Sequence, residues 1–190
     1  MCLIPARADS KRIPGKNLRD FCGVPALRRV IDMAHLTGLF EDVVVSSEDR
    51  STLHLAEGWG ATPLYCSTEY AHRDDSMLED VLDHFLQEYA DCQRVCMVLA
   101  TAMLLDEWMI LIGYRLSRLV NPLPVVSYIA HGRDAGQFYW LDAKNYRKQR
   151  ENGTEILDMI HAVVPIGNIV DINTEEDWVR AEEMYRRIHV

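Results

Sequence analysis

A three-layer α/β/α fold on a mostly parallel sheet is what the sequence predicts, and three observations predict it. Short β-branched runs such as DVVVSS (42–47) alternate with stretches of helical period. The 190 residues are 48% hydrophobic, enough to bury a sizeable core. No internal repeat, low-complexity tract or linker interrupts them, so residues 1–190 read as one domain.

The elements follow in order. Residues 2–4 are expected as the first strand, short and apolar, and a loop with five basic residues comes next: Arg7, Lys11, Arg12, Lys16 and Arg19. Pro25 suits a first helical turn, Leu27, Val30, Ile31 and Ala34 share one face, and Gly38 stops the helix. DVVVSS reads as a buried strand, residues 53–57 as a short helix ended by Gly58 and Gly60, and residues 62–65 as a strand. Ser76 and Glu79 spell a capping box before a helix whose core face is Leu78, Val81, Leu82, Phe85, Leu86 and Tyr89. RVCMVLA (94–100) is the most apolar strand and is expected at the sheet centre. Asp106 caps a helix expected to turn Met109, Ile112, Leu116 and Leu119 inward. Residues 124–129, QFYWL (137–141) and 163–172 hold the remaining strands. Thr174 to Asp177 opens a last helix with acidic residues at its positive end.

Charge narrows the function. A formal net charge of -9 and a pI near 5.2 argue against a nucleic-acid or membrane-surface binder, so the basic loop stands out as a local site for a small anion. Five cysteines, none at zinc-ligand spacing, read as reduced thiols of a cytoplasmic protein. No basic-then-apolar signal pattern is read ahead of the first strand, so no leader is expected, and the apolar run at 95–105 is too short to span a bilayer. The basic loop lies between a strand and a helix, where α/β sheets bind ligands. Arg7, Lys11 and Lys16 can face phosphate there, although a solvated charge run has the same spelling and no glycine fingerprint separates the two.

The motifs also carry a resemblance. IPAR (4–7) followed by SKRIPGKN (10–17) is similar to the N-terminal signature of the sugar-acid cytidylyltransferases, the acylneuraminate family. VVVSSED (43–49), ATA (100–102) and DINTEEDW (171–178) recur in that family's order, and DAGQFYW (134–140) resembles the pseudaminic acid branch. These blocks reach from one end of the chain to the other. The resemblance implies a Rossmann-like sheet of the nucleotide-diphospho-sugar transferase type. It also implies a reaction: the anomeric hydroxyl of a nine-carbon sugar acid attacks the α-phosphorus of CTP, assisted by Mg²⁺, and pyrophosphate leaves.

Carried onto this sequence, the resemblance makes Arg7, Lys16 and Asp171 the catalytic candidates. Ala6, Arg7, Ser10, Lys11, Lys16 and Asn17 would bind the nucleotide; Thr101, Asp134 and Gln137 would bind the sugar acid. Asp171 and Asn173 would hold the metal, since residues two apart on a strand face the same way. Phe138, Tyr139 and Trp140 read as core or dimer packing, and a homodimer is a candidate assembly. Pseudaminic acid is the favoured acceptor, with sialic acid the second.

Several positions depart from the family pattern where ligand is expected. Ala8 and Asp9 replace two loop glycines, Asn173 replaces a second metal aspartate, Cys66-Ser67 replaces an Arg-Pro, and Met103 replaces a proline; the stretch between Tyr128 and Asp134 is short. A homologue that binds nucleotide without turning it over is therefore the alternative. A metal-dependent glycosyltransferase would not share the N-terminal block, and a dinucleotide oxidoreductase would need Gly-x-Gly-x-x-Gly after the first strand.

Overall fold

The computed structural model describes residues 1–8, 10, 12–68, 77–129 and 133–189. The chain runs β1 (Cys2–Pro5), β2 (Asp20–Phe21), β3 (Val24–Pro25), α1 (Ala26–Leu36), β4 (Val43–Ser47), α2 (Arg50–Gly58), β5 (Thr62–Tyr65) and α3 (Leu78–Glu88). It continues with β6 (Arg94–Val98), α4 (Glu107–Leu119), β7 (Val125–Ile129), β8 (Arg133–Asp142), α5 (Ala143–Glu151), a 3₁₀ turn at Ile156–Asp158, β9 (Ala162–Pro165) and α6 (Glu175–His189).

Seven strands form one sheet in the order β5-β4-β1-β6-β8-β7-β9. The pairings β4 with β5, β1 with β4, β1 with β6 and β7 with β9 are parallel, and only β8 runs antiparallel to its neighbours. The α/β/α expectation holds, and β6 lies at the centre as its unbroken apolar run requires. Two clusters sandwich the sheet. Alternate residues of β1 supply Cys2 and Ile4 to the face covered by Leu27, Val30 and Ile31 of α1, and Leu3 to the face covered by Leu82 and Phe85 of α3. This alternation buries both sheet faces, so the polar work is left to the strand ends.

Several local expectations need correction. Pro25 precedes α1 instead of entering it, because residues 20–25 make a β2–β3 hairpin turning at Cys22 (φ 50°) and Gly23 (φ 88°), the paired positive φ of a tight hairpin. Ser76, one half of the expected capping box, lies outside the described residues; among the described residues the Glu79 carboxylate accepts from Ile156 N at 3.0 Å, and Asp80 reaches back to Met77 N at 2.9 Å. The ladder expected over 163–172 ends at Pro165.

The inward stripe of α4 is also rotated. Met109 and Leu116 pack against the core as expected, but Ile112 and Leu119 are exposed, and the fully buried positions are Ile110, Gly113 and Ser117. Gly113 sets this orientation, since a Cβ there would meet Phe138 and Trp140 at 2.8 Å. Trp140 is itself stacked on Phe40 at 5.5 Å and has little room to yield. Gly113→Ala is expected to lower stability by about 1–2 kcal/mol, overpacking outweighing the helix propensity of Ala. Urea denaturation checks this, and a stabilised variant would contradict it.

Candidate active site

The carboxyl ends of β1 and β6, the start of the antiparallel β8 and the chain leaving β9 meet at one edge of the sheet, where open α/β sheets leave a crevice. The basic loop leaves β1 there. Its backbone is fixed from beneath: Ala6 N donates to Ser46 O at 2.8 Å, and Asn17 Nδ2 donates to Arg7 O at 2.8 Å. Asn17 thus ties the two ends of the loop together, holding Arg7 and Lys16 on one short arc.

Across from the loop, residues 166–173 carry no ladder, yet burial alternates: Val170 and Ile172 are buried and Asp171 is exposed. The strand argument for pairing Asp171 with Asn173 fails in its premise, but apolar anchoring of Val170 and Ile172 keeps Asp171 outward. Thr174 and Asp177 then form a reciprocal cap. Asp177 Oδ2 accepts from Thr174 N at 2.9 Å and Asn173 N at 3.1 Å, and Thr174 Oγ1 accepts from Asp177 N at 3.2 Å. These bonds, the backbone N–H of Asn173 first among them, hold the Asp177 carboxyl below its ordinary range.

The two halves are joined directly. Lys16 Nζ donates to Ile172 O at 3.0 Å, Arg12 Nη1 donates to Asn173 Oδ1, and Arg19 pairs with Glu175 at 2.6 Å. Below them lies a third apolar cluster containing Ile13, Phe21, Met103, Ile172 and Trp178. Burial is the main influence lowering the Lys16 pKa, followed by Arg12; Asp171 opposes them, and Arg7 lowers it further. Arg7, Arg12 and Asp171 are therefore all within electrostatic reach of Lys16. A polyanion entering here would relieve the repulsion among the cations.

Beside this junction, a cavity of about 450 Å³ is lined by Thr101, Asp134, Gln137 and Asp171, together with Arg133 and Arg180. Asp134 is held rigidly, accepting from Tyr139 Oη at 2.5 Å and from Gly136 N at 3.0 Å. Tyr139 is buried as expected of packing, but its hydroxyl also orients a cavity carboxylate; burial and this bond push its phenol up. Gln137 is buried, with Nε2 bonded to the carbonyls of Ala135 (3.0 Å) and Gly136 (3.2 Å), so its amide oxygen is the atom best placed to meet a ligand.

The structure thus gathers Arg7, Lys16 and Asp171 at the junction and Thr101, Asp134, Gln137 and Asp171 around the cavity. Ser10 lies on the same loop, donating its N–H to Ala8 O at 3.2 Å, while Ala6 is fully buried beneath it. Lys11 and Asp9 lie outside the described residues. Arg133, Arg180 and Glu48 were not named as site residues in the sequence, and Tyr139 was read only as packing. Glu48 Oε1 accepts from Ala8 N at 2.9 Å, so a phosphate seeking that loop amide must displace a carboxylate. Cys66 is fully buried against Val81, so its thiol cannot take the part of an exposed arginine.

The sequence profile of the family described as Cytidylyltransferase matches residues 1–112, more than half of the chain. The chain belongs to the cytidylyltransferase family. Its relatives in that family include a pseudaminic acid cytidylyltransferase of Campylobacter jejuni subsp. jejuni serotype O:2, 27% identical over 172 residues that cover 82% of this chain and 72% of the relative. An N-acylneuraminate cytidylyltransferase of Streptococcus agalactiae serotype III is 28% identical over 97% of this chain, which spans only 46% of that relative's length. Among solved structures, a CMP:2-keto-3-deoxy-manno-octonic acid synthetase complexed with CTP superimposes with a TM-score of 0.76 over 98% of each chain, at 12% identity. Rv0371c of Mycobacterium tuberculosis H37Rv, in a complex with manganese, covers 96% of this chain with a TM-score of 0.66 at 10% identity. These last two show the fold, and the family match identifies the chain as a cytidylyltransferase-type enzyme.

The donor set limits how a metal can be held. Among the described residues no three His, Cys, Asp or Glu side chains gather as a cage, and Arg12 engages the Asn173 carbonyl. An exposed Asp171 carboxylate fits a hard cation that arrives with a nucleotide and takes its other ligands from phosphates and water. Asn173→Asp would place a second carboxylate near the first. We expect it to lower the Mg²⁺ concentration needed for half-maximal nucleotide binding about tenfold, the order expected for one added charge at an exposed site. Unchanged metal dependence in calorimetric titrations would contradict this account.

Proposed function

We propose that the chain transfers CMP from CTP to the anomeric hydroxyl of a nonulosonic acid, with pseudaminic acid favoured over sialic acid. The observation that carries the reading is the bond from Lys16 Nζ to Ile172 O, which brings the basic loop against Asp171. Arg7 and Lys16 face the phosphates, and Asp171 would hold the Mg²⁺, with Asn173 available as a further oxygen donor only if Arg12 released it. Bound Mg²⁺ supplies charge neutralisation on the phosphate oxygens. The sugar oxygen forms a bond to the α-phosphorus while the α–β bridge breaks. Its electron pair leaves with pyrophosphate, and the hydroxyl proton passes to solvent. Fixed cations favour this step because negative charge grows on the departing phosphates in a site that needs no reorganisation. Ser10 and Asn17 order the loop, and Lys11 belongs to the same nucleotide-binding proposal. Thr101, Asp134 and Gln137 meet the sugar hydroxyl and acyl groups.

The names of the relatives support a sugar-acid acceptor, and the DAGQFYW segment supports the pseudaminic branch. Cytoplasmic residence is part of the proposal, in accord with five cysteines that form no disulfide, as is a homodimer. Among the described residues no helix is long and apolar enough to cross a membrane.

A second reading has its own support. Glu48 on the Ala8 amide and Arg12 on Asn173 both occupy groups that a catalytic nucleotide site would use, as expected of a homologue that binds CTP without turnover. One assay decides between them. Pyrophosphate release that requires CTP, Mg²⁺ and either sugar acid supports the enzyme; CTP-induced thermal stabilisation without release supports the binder.

A further inference from the structure

We infer that the outward face of α4 is the surface on which two copies of this chain pack, helix against helix and antiparallel. This rests on the homodimer of the proposed function, to which it gives a surface, and is independent of the transfer reaction.

α4 carries its large apolar residues on the side away from the core. Its inner side presents the small Gly113 and Ser117 beside Ile110, and Gly113 is kept small by Phe138 and Trp140. Its outer side presents Trp108, 63% exposed, Ile112, 48% exposed, and Leu119, 83% exposed. A helix that is apolar all round is normally covered all round. These three side chains offer about 400 Å² of apolar surface, within the range of the largest patch on a typical monomer.

The spacing defines the cover that fits. Trp108, Ile112, Arg115 and Leu119 follow one another at intervals of four, three and four, which is the seam of a two-helix packing, and all four are exposed. Laid antiparallel about a two-fold axis between Gly113 and Tyr114, the seam is complementary to itself. Trp108 meets Leu119 of the second copy, and Ile112 meets the Arg115 stem, whose guanidinium can lie over the Trp108 ring. The charges obey the same symmetry: Glu107 stands in the first turn and Arg118 in the last, on one flank of the seam. Antiparallel packing therefore brings each Glu107 to Arg118 of the second copy, whereas parallel packing would set like charges together. Arg118 is exposed and donates to Tyr114 Oη at 3.1 Å within its own helix, a contact it can exchange. With the stems of Arg115 and Arg118 included, two copies would bury on the order of 1,200 Å² in total, the lower limit of a stable interface. A membrane surface is the other occupant for such a stripe, and a net charge of -9 with Arg115 in mid-stripe favours the second copy.

The test is sedimentation of the full 21.8 kDa chain across a concentration series. We expect a dimer with a dissociation constant on the order of 10 µM, in keeping with an interface of this size. Ile112→Glu and Leu119→Glu should each weaken it at least tenfold and leave the urea midpoint unchanged, because both side chains already face water in the single chain. Glu107→Arg and Arg118→Glu should each weaken it about threefold, and the double reversal should return it to within twofold of the wild type. A dimer indifferent to both glutamate variants would overturn this surface and leave the homodimer standing; a double reversal that restores nothing would overturn the antiparallel register. A chain that stays monomeric throughout, including one that instead cosediments with vesicles of phosphatidylcholine and phosphatidylglycerol, would overturn both surface and homodimer. Pyrophosphate release judges the transfer reaction separately.

Discussion

Replacing Lys16 by Met is expected to reduce kcat/KM for CTP by about 10²–10³-fold, the usual loss when a fixed group facing developing charge is removed. Methionine keeps the half-buried stem and deletes the charge, so the fold should survive. The wild-type lysine is held charged against burial and the nearby Arg12 and Arg7, with Asp171 its counterweight. Its pKa in the free protein therefore lies below the ordinary 10.5. Between these two values the unfolded chain binds more protons than the folded one, so Lys16 makes stability rise with pH there. Triphosphate binding reverses the sign: it favours the ammonium, so CTP affinity should fall as pH rises through the lowered pKa. In Lys16→Met that alkaline limb should vanish from calorimetric titrations. An unchanged limb would assign it to another group.

Trp178→Ala is expected to cost about 3–5 kcal/mol, the range for truncating a buried aromatic residue. Trp178 is 1% exposed, meets Phe21 edge-to-face at 5.6 Å, and carries the Arg19 guanidinium 4.6 Å above its ring. These contacts seat the β2–β3 hairpin and the basic loop on α6. The loss should therefore appear twice, as a lower urea midpoint and as weakened CTP binding under conditions where the variant is still folded. Trp178→Phe should recover much of both. A variant that is destabilised but binds CTP like the wild type would show that this cluster supports the core without shaping the site.

The sequence disclosed the sheet more readily than the junction built on its edge. β6 was legible because the unbroken apolar run from Val95 to Val98 can only be buried on both faces, and α1 because its four apolar positions share one stripe. The inward face of α4 was misread at Ile112 and Leu119 because Gly113 and Ser117 face the core beside Met109 and Leu116, and small residues leave no apolar signal. α5 escaped notice for a similar reason: only Ala143 and Tyr146 are buried in a strongly polar helix. The hairpin at 20–25 turns on Cys-Gly, a pair without the usual Asn or Asp signature.

Within the site, motif order pointed to Arg7, Lys16 and Asp171, the last of them 155 residues beyond Lys16. The bonds that join the junction were not legible. Glu48 on Ala8 and Arg12 on Asn173 span 40 and 161 residues, and no local spacing encodes them. Arg133 and Arg180 look in the sequence like any exposed arginines, and only the shared cavity sets them apart.

The central claim, that the basic loop and the segment before α6 act on one nucleotide, is tested most directly by a double-mutant cycle on CTP binding in the presence of Mg²⁺. Lys16→Met, Asp171→Asn and the double variant are compared with the wild type by calorimetry. We predict that each single change weakens binding at least tenfold and that the pair is non-additive by about 1 kcal/mol or more, because both side chains address the same triphosphate. Effects that add within about 0.5 kcal/mol would place the two residues at independent sites and contradict the account.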